Sequence, residues 1–161
     1  MSSAPPPELR YKRSRFTARL PTDRLYSPSH FYVKHQEGDL YRVGFTRFAK
    51  RMLGEIVECD VELEVGSPVE LGQVVGWVEA FKAVSDLYSV GEGTFAGGNP
   101  ALARKPQLID EDPHGDGWLY AFNGKPDPAC VDAEGYTKIL DGQIDKMLGD
   151  PPTSDSKEGA A

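Results

Sequence analysis

Lys82 is the residue whose type and placement most clearly suggest chemistry. It is the only lysine or arginine between Arg51 and Arg104, an interval that also holds nine acidic residues. Two of these, Glu79 and Asp86, lie close to it in the sequence and favour the charged form of its amine, so Lys82 is not expected to be a self-activated nucleophile. A solitary amine of this kind is suited to modification by a separate enzyme, with Glu79 and Asp86 as recognition points.

The residues around Lys82 predict a hairpin with the lysine at its tip. The segment 74–81 alternates with period two and is rich in β-branched and aromatic residues, which is typical of a strand. A second, shorter strand is predicted over 84–90. The connection between them, Phe81–Ala83, lacks the glycine, asparagine or aspartate that usually marks a tight turn.

Alternation and glycine punctuation elsewhere predict a mainly β protein. The clearest half-buried strand pattern lies in Glu55–Ser67, where every second residue from 57 to 65 is apolar and the residues between them are mostly acidic. The segment 31–44 predicts another hairpin, and the near-even spacing of short strands favours a sandwich or flattened barrel. Thr46–Gly54 predicts a short helix with a threonine N-cap, and Asp132–Leu148 predicts a C-terminal helix.

A single domain is predicted over residues 16–148. Residues 1–15 are proline-rich and then basic, which predicts a flexible arm, and residues 149–161 are polar, which predicts a disordered tail. There is no apolar run of membrane-spanning length and no apolar segment of a secretory signal, so we expect a cytoplasmic protein without a membrane partner. Cys59 and Cys130 form no C-x-x-C motif and are predicted to be structural thiols, so that any dithiol chemistry would reside on a cofactor.

The net charge of −7 is unevenly distributed. Residues 1–51 carry a net charge of +7, and residues 52–161, which include Lys82, carry −14. Nucleic acid is therefore not expected as a partner of the tip, whereas basic clefts on partner enzymes would attract it. The sequence shows no catalytic triad order, phosphate loop or paired carboxylates, and 110–114 has no second cluster of ligands, so neither an enzyme nor a metal site is predicted.

The segment 78–89, VEAFKAVSDLYS, closely resembles the lipoylation site of the H-protein family of the glycine cleavage system, roughly V-E-S-V-K-A-x-S-D-I-Y-S. The segment 44–57 resembles the G-I-T-x-x-A-x-x-x-L-G-D-I-V of that family. Three shorter matches follow in order and resemble N-x-x-L, P-x-L-I-N and G-W-L/I, at 99–102, 106–109 and 117–119. The resemblance covers about residues 26–148 at near-family spacing.

The resemblance implies a flattened β-barrel of the lipoyl/biotinyl type (a hammerhead or barrel-sandwich hybrid) with an extra N-terminal hairpin, one short internal helix and a C-terminal helix. It implies that Lys82 carries lipoate in amide linkage, attached by a lipoate ligase or lipoyl transferase, and that the protein is a carrier rather than an enzyme. The family usually has E-H-E-W where this chain has Ser29–Tyr32, which keeps the histidine and loses both glutamates. Because this region of the family lies near the sheltered arm, His30 is the candidate arm contact.

Three functions are left open. The general role of the family is to carry the aminomethyl group from glycine decarboxylase to the aminomethyltransferase and then to deliver dihydrolipoyl to dihydrolipoamide dehydrogenase. The missing glutamates near His30, Phe81 beside the lysine and the missing proline after Ser89 depart from a standard member of the family. The segment 16–26, which also differs from the usual start of the family, and the segment 77–84 together resemble the H-like lipoate-binding proteins of heterodisulfide-reductase-like sulfur oxidation. These departures favour a carrier of a sulfur species that serves a heterodisulfide-reductase-like complex, with glycine cleavage as the alternative. An unlipoylated binding module, with Lys82 as a plain turn residue, is the third possibility.

Overall fold

Three antiparallel sheets make up most of the fold in the computed structural model, which describes residues 7–149. The strands are β1 (Glu8–Arg13), β2 (Phe16–Pro21), β3 (Leu25–Tyr26), β4 (Phe31–His35), β5 (Leu40–Phe45), β6 (Ile56–Val61), β7 (Pro68–Val69), β8 (Val74–Ala80), β9 (Val84–Tyr88), β10 (Gly91–Gly98) and β11 (Tyr120–Pro126). The helices are α1 (Arg47–Leu53), α2 (Leu108–Glu111) and α3 (Ala133–Met147), and Pro100–Ala103 forms a 3₁₀ turn. The mainly β prediction is confirmed.

The two larger sheets share one hydrophobic core. The six-stranded sheet has the order β3-β4-β5-β11-β10-β7, and the three-stranded sheet has the order β6-β8-β9. Side chains from both sheets are fully buried in this core, including Val43, Val78, Leu87 and Phe122. Because the β8–β9 hairpin buries one face in this core, its tip has a rigid base.

The helices begin and end close to the predicted residues. Thr46 caps α1 by accepting the backbone N–H of Ala49 at 3.2 Å, and Gly54 ends the helix with φ +81°. Asp132 caps α3 by accepting the backbone N–H of Gly135 at 2.8 Å. No helix within residues 7–149 is long and apolar enough to cross a membrane.

Strand β6 differs from the regular alternation predicted for Glu55–Ser67. It ends at Val61, and its pairing with β8 shifts register between Ile56 and Glu58. This bulge inserts one extra residue and reverses the side-chain phase at the start of the strand, so Ile56 is buried and Val57 is 48% exposed. The half-buried strand predicted from this alternation was therefore wrong at Val57.

The N-terminal region forms a hairpin rather than the flexible arm predicted for residues 1–15. Strands β1 and β2 pair along their whole length, from Glu8 opposite Pro21 to Arg13 opposite Phe16. The prediction was wrong for residues 8–13, where basic residues alternate with others along a paired strand. The first six residues of the predicted arm, and all but the first residue of the predicted tail, lie outside the described residues.

Contacts with α3 hold this hairpin in place. The Tyr11 hydroxyl donates to Asp141 at 2.7 Å, and the Arg13 guanidinium donates two hydrogen bonds to Asp145 at 2.8 and 2.7 Å. A second core forms where the hairpin, α1 and α3 meet, and it buries Phe16 with other side chains. These partners are more than 120 residues away in the sequence, so local patterning gives no sign of them.

The two cysteines are partly buried free thiols. Burial raises the pKa of Cys59 to about 11 and that of Cys130 to about 11. Both thiols are therefore protonated near neutral pH. Because the thiolate and not the thiol is the nucleophile, neither cysteine is expected to be reactive. This agrees with a structural role.

His114 is expected to make the folded state sensitive to mild acid. Its ring packs edge-on against Tyr32, and its Nε2 is buried without a hydrogen-bond partner among the described atoms. Burial first, and the charges of Arg24 and Arg47 second, lower its pKa from 6.5 to about 3. The unfolded state then binds protons more readily, so stability is highest above pH 6.5 and falls as the pH falls towards 3. We expect the free energy of unfolding from urea titration to be roughly 2 kcal/mol lower at pH 5 than at pH 7.

Carboxylates also contribute to acid unfolding, so the effect of His114 is measured by comparing the pH profiles of two variants with that of the wild type. His114→Phe removes the titrating ring and should lose most of the decrease between pH 7 and pH 5. His35→Gln removes an exposed histidine and should keep the decrease seen in the wild type. Identical pH profiles for the wild type and His114→Phe would show that this histidine does not limit acid stability.

Candidate functional site

Lys82 lies at the exposed tip of the β8–β9 hairpin. The strands pair up to Glu79 opposite Val84, and the tip follows this pair. The tip also exposes apolar groups, since Phe81 is 82% and Val84 is 73% exposed. The Lys82 ammonium donates to the backbone carbonyl of Arg51 at 3.3 Å. The tip therefore presents one amine among apolar side chains.

The end of α1 and the segment just after it hold the backbone of the tip. Tight hairpin turns usually need positive φ angles and hence glycine or asparagine, but neither Phe81 nor Lys82 has a positive φ. Instead, the backbone N–H of Phe81 donates to the carbonyl of Glu55 at 2.8 Å, and that of Lys82 donates to the carbonyl of Leu53 at 2.9 Å. These two hydrogen bonds explain how the turn forms without the residues that tight turns favour.

Gly54 brings α1 into contact with the tip. A Cβ atom at Gly54 would lie 3.1 Å from Lys82 Cγ and 3.4 Å from Phe81 Cβ, which is tighter than most Cβ contacts, and the positive φ of +81° also favours glycine at this position. The carbonyl of Gly54 accepts the Lys50 ammonium at 2.7 Å, and Lys50 also forms an ion pair with Asp110. The segment 53–55 that supports Lys82 is thus held by Lys50 on one side and by the hairpin tip on the other.

The predicted recognition residues Glu79 and Asp86 share one exposed face of the hairpin. Glu79 lies opposite Val84, and Asp86 lies opposite Trp77, which is two residues from Glu79 on the same strand. Neither carboxylate forms an ion pair with Lys82 or with any other basic group within residues 7–149. Both charges are therefore available to an approaching protein.

His30, the predicted arm contact, is held by the hydroxyl of Tyr136. Its Nδ1 lies 2.8 Å from that hydroxyl, which is also 2.8 Å from the Thr46 Oγ1, and its ring packs against Phe48 at 4.7 Å. Burial lowers the pKa of His30, so its imidazole is neutral near pH 7. With Nδ1 occupied by Tyr136, Nε2 is the ring nitrogen left for another contact.

His30 and Asp86 line one cleft of about 250 Å³, called here the His30 cleft. Apolar side chains, including Phe31 and Leu53, form much of its wall. The structure thus brings together two of the predicted site residues. Glu79 and Lys82 do not line this cleft.

Tyr136→Phe is expected to lower the free energy of unfolding by about 1–3 kcal/mol, because Thr46 and His30 would lose their shared hydrogen-bond partner at a buried position. Urea denaturation at pH 7 measures the change. The matched control is Tyr41→Phe, since the Tyr41 hydroxyl makes no hydrogen bond to another group within residues 7–149. A loss below about 0.5 kcal/mol, the range of ordinary surface substitutions, would contradict a structural role for this hydroxyl.

The surroundings of Lys82 fit a covalently attached acyl group with an apolar chain. Its amine is accessible, no ion pair within residues 7–149 would be lost, and amide formation would remove its charge. Lys82 also lines a second cleft of about 420 Å³, whose wall includes the apolar side chains of Phe16, Phe48 and Ile144. An apolar group attached to Lys82 could therefore be removed from water by packing against the wall of this cleft.

Sequence reasoning did not identify the groups that support the site. The carbonyls of Leu53 and Glu55 belong to the backbone, so no residue type reveals them. Gly54 is predicted as the end of α1, but its contact with the tip depends on the tertiary fold. Tyr136 is visible only as one apolar position of the predicted C-terminal helix, and its hydroxyl is what links that helix to His30.

Comparison with known proteins gives the family. The family described as "Glycine cleavage H-protein" matches residues 24–141. The glycine cleavage system H protein of Corynebacterium jeikeium is 43% identical over 120 residues, which are 73% of this chain and 94% of the relative. That of Rubrobacter xylanophilus is 37% identical over 124 residues, which are 77% of this chain and 97% of the relative.

A solved structure agrees with these matches. The crystal structure of a glycine cleavage system H protein from Mycobacterium marinum is similar with a TM-score of 0.68 and 34% identity, over 76% of this chain and 99% of that one. Each of these relatives is named for glycine cleavage, so the expected link to heterodisulfide-reductase-like sulfur oxidation has no support from them. Proteins of this family carry lipoate covalently on a lysine and act as carriers rather than as catalysts. The chain belongs to the glycine cleavage H-protein family.

Proposed function

We propose that this protein carries the aminomethyl group in glycine cleavage, with lipoate attached as an amide to Lys82. The observation that carries the proposal is an exposed lysine on a hairpin tip that is held by two backbone hydrogen bonds, one to Leu53 at the end of α1 and one to Glu55 just beyond it. The lipoyl group, when attached, supplies a dithiol that can transfer a substrate fragment between enzymes. Family membership supports glycine decarboxylase, aminomethyltransferase and dihydrolipoamide dehydrogenase as the partner enzymes.

The tip residues would act in recognition rather than in catalysis. The lipoate ligase or lipoyl transferase must find one amine among the lysines of the chain. Lys82 is the only lysine or arginine from residue 52 to 103, and it lies at an exposed tip close in sequence to the exposed carboxylates of Glu79 and Asp86. Because neither carboxylate is paired with a basic group of the described residues, each can bind a basic group of the modifying enzyme.

Neutralising these carboxylates is expected to slow lipoylation severalfold. Glu79→Gln and Asp86→Asn each remove one charge-assisted contact with the modifying enzyme while preserving side-chain shape. The rate is measured by intact mass in a time course with a lipoate ligase at low salt. The control is Glu58→Gln, which neutralises an exposed carboxylate opposite Glu79 on β6. Equal rates for all three variants would show that general acidity, and not these two residues, attracts the enzyme.

In the His30 cleft, we propose that Asp86 attracts the cargo and that His30 contacts the lipoyl arm. A protonated amine cargo is attracted to a carboxylate, and Asp86 is the acidic side chain that lines this cleft. His30 lies in the same cleft as a neutral ring whose Nε2 is not engaged by Tyr136. We place its proposed arm contact at that nitrogen.

One observation favours the second candidate, carriage of a sulfur species for a heterodisulfide-reductase-like complex. Phe31, only 5% exposed and part of the wall of the His30 cleft, stands where the family usually has a glutamate. The cleft consequently has one fewer carboxylate with which to hold a cationic cargo. The named relatives favour glycine cleavage over this candidate.

Reconstitution with glycine decarboxylase tests the proposed function. The protein is first incubated with lipoate ligase, and intact mass must show one added lipoyl group. The lipoylated protein is then expected to support exchange of the glycine carboxyl carbon with bicarbonate, and the unlipoylated protein to support far less. No added lipoyl mass would contradict the carrier assignment, and correct mass without exchange would contradict the glycine pathway while leaving the sulfur candidate.

A further inference from the structure

The second cleft beside the tip has a wall that the family match does not include. This hairpin cleft lies between the β1–β2 turn, α1 and the end of α3, and its lining includes Ser14, Met52, Lys82 and Met147. The match to the H-protein family begins at residue 24, after both strands of the N-terminal hairpin. Its volume of about 420 Å³ lies in the range of small-molecule binding sites.

Apolar side chains line the interior of the hairpin cleft. Phe16, Phe48 and Ile144 are buried, with 7%, 5% and 5% exposure. Met52 and Met147 lie against the same cleft and remain 39% and 50% exposed. Contiguous exposed apolar surface on a protein often marks a binding site, and methionine side chains adapt readily to different ligands.

The charged groups that line the hairpin cleft are basic. They are Arg13, Arg15, Arg51 and Lys82, and no carboxylate is among the lining residues. Arg13 is already paired with Asp145, whereas Arg51 lies over the ring of Phe16 at 5.9 Å. This environment repels an amine and accepts an uncharged or anionic group, which is the opposite of the preference expected for the His30 cleft.

Lys82 connects the hairpin cleft to the tip. Its side chain is part of the lining, and its ammonium donates to the carbonyl of Arg51, another lining residue. A group attached to this ammonium therefore starts at the cleft. Amide formation would also remove the one positive charge that Lys82 adds to the cleft.

We propose that the hairpin cleft is the resting site of the uncharged lipoyl disulfide on Lys82, in contact with the side chains of Met52 and Met147. The proposal rests on the proposed lipoylation of Lys82. The N-terminal hairpin then has a role beyond packing against α3, because the turn between its strands closes one side of this resting site.

Methionine methyl NMR tests the proposal directly. The chain has three methionines, of which Met52 lines both clefts and Met147 lines only the hairpin cleft. Protein labelled with ¹³C at the methionine methyl groups is compared before and after lipoylation, with resonances assigned by Met52→Leu and Met147→Leu. We expect the Met147 methyl resonance to shift by more than its linewidth when intact mass shows complete lipoylation.

Two other results would overturn the proposal. A shift of Met52 alone would place the lipoyl group in the His30 cleft or on α1. A Met147 resonance that does not move on complete lipoylation would show that the lipoyl group does not rest in the hairpin cleft. If no lipoyl mass is added, the failure lies in the lipoylation of Lys82 and not in the cleft.

A chemical measurement with variants gives independent evidence. The rate at which a small phosphine reduces the lipoyl disulfide is followed by intact mass after alkylation of the thiols. Met147→Glu places a charge in the hairpin cleft at an exposed position and should increase this rate severalfold. Gln143→Glu adds the same charge to α3 outside the cleft lining and should leave the rate unchanged. An increase in Ser29→Glu, within the His30 cleft, without one in Met147→Glu would contradict the proposal.

Discussion

Lys82→Arg is expected to abolish lipoylation and with it all carrier activity. Arginine keeps the positive charge of the tip, but its guanidinium is not the amine that the modifying enzyme acylates. The backbone N–H at position 82 can still donate to the carbonyl of Leu53, so the turn is expected to keep its shape. Intact mass after incubation with a lipoate ligase should show no added lipoyl group, and glycine–bicarbonate exchange should fall to the level of the unlipoylated wild type.

The matched control for this substitution is Lys125→Arg, at an exposed lysine on β11. This variant should be lipoylated at the rate of the wild type, which separates a loss at one site from a general effect of removing a lysine. Lipoyl mass on Lys82→Arg would show that another lysine is the acceptor. Wild-type exchange by that variant would contradict the assignment of the carrier role to Lys82.

The position of Lys82 could be predicted because two local signals agree. Period-two alternation before and after it marks the strands, and the absence of other basic residues from 52 to 103 marks the lysine itself. The observed strands, Val74–Ala80 and Val84–Tyr88, lie within one or two residues of the predicted ones. Burial on one face fixes the register of such a hairpin, and this is why its pattern predicts it well.

The groups that hold the tip could not be predicted, because they act through the backbone or through distant parts of the chain. The carbonyls of Leu53 and Glu55 become visible only when α1 lies beside the turn. The N-terminal hairpin depends on ion pairs and hydrogen bonds between Arg13 or Tyr11 and α3, and its basic composition alone resembles that of a flexible arm. Composition indicates only how readily a segment is solvated, whereas contacts with distant residues depend on the tertiary fold.

The cargo of the carrier also could not be predicted from the sequence. Phe81 and the loss of glutamates near His30 favour a sulfur carrier when only the sequence is considered, but they are single positions within a segment, residues 24–141, that matches the H-protein family. The named relatives instead support glycine cleavage. Residues that change the surface near Lys82 alter the binding of partners and cargo, and such differences in binding energy do not follow from residue types alone.

Gly54→Ala is expected to slow lipoylation more than its effect on stability explains. With φ +81° and ψ −165°, Gly54 has a backbone conformation that is nearly restricted to glycine, so a side chain should cost about 1–3 kcal/mol of stability. The new Cβ would also lie 3.1 Å from Lys82 Cγ, so the lysine side chain would have to move by a few tenths of an ångström away from the end of α1. We expect the lipoylation rate, measured by intact mass under conditions where the variant is fully folded, to fall severalfold or more.

Gly72→Ala separates strain in the backbone from displacement of the lysine. Gly72 has φ +83°, close to that of Gly54, but a Cβ atom there would meet nothing within 4 Å. Both variants should therefore be less stable in urea denaturation, while only Gly54→Ala should be lipoylated slowly. If the two variants were lipoylated at the same rate, the contact between Gly54 and Lys82 would have no part in presenting the amine. A selective loss in Gly54→Ala would instead support a role of the end of α1 in positioning the lysine, because a Cβ atom meets Lys82 at Gly54 and meets nothing within 4 Å at Gly72.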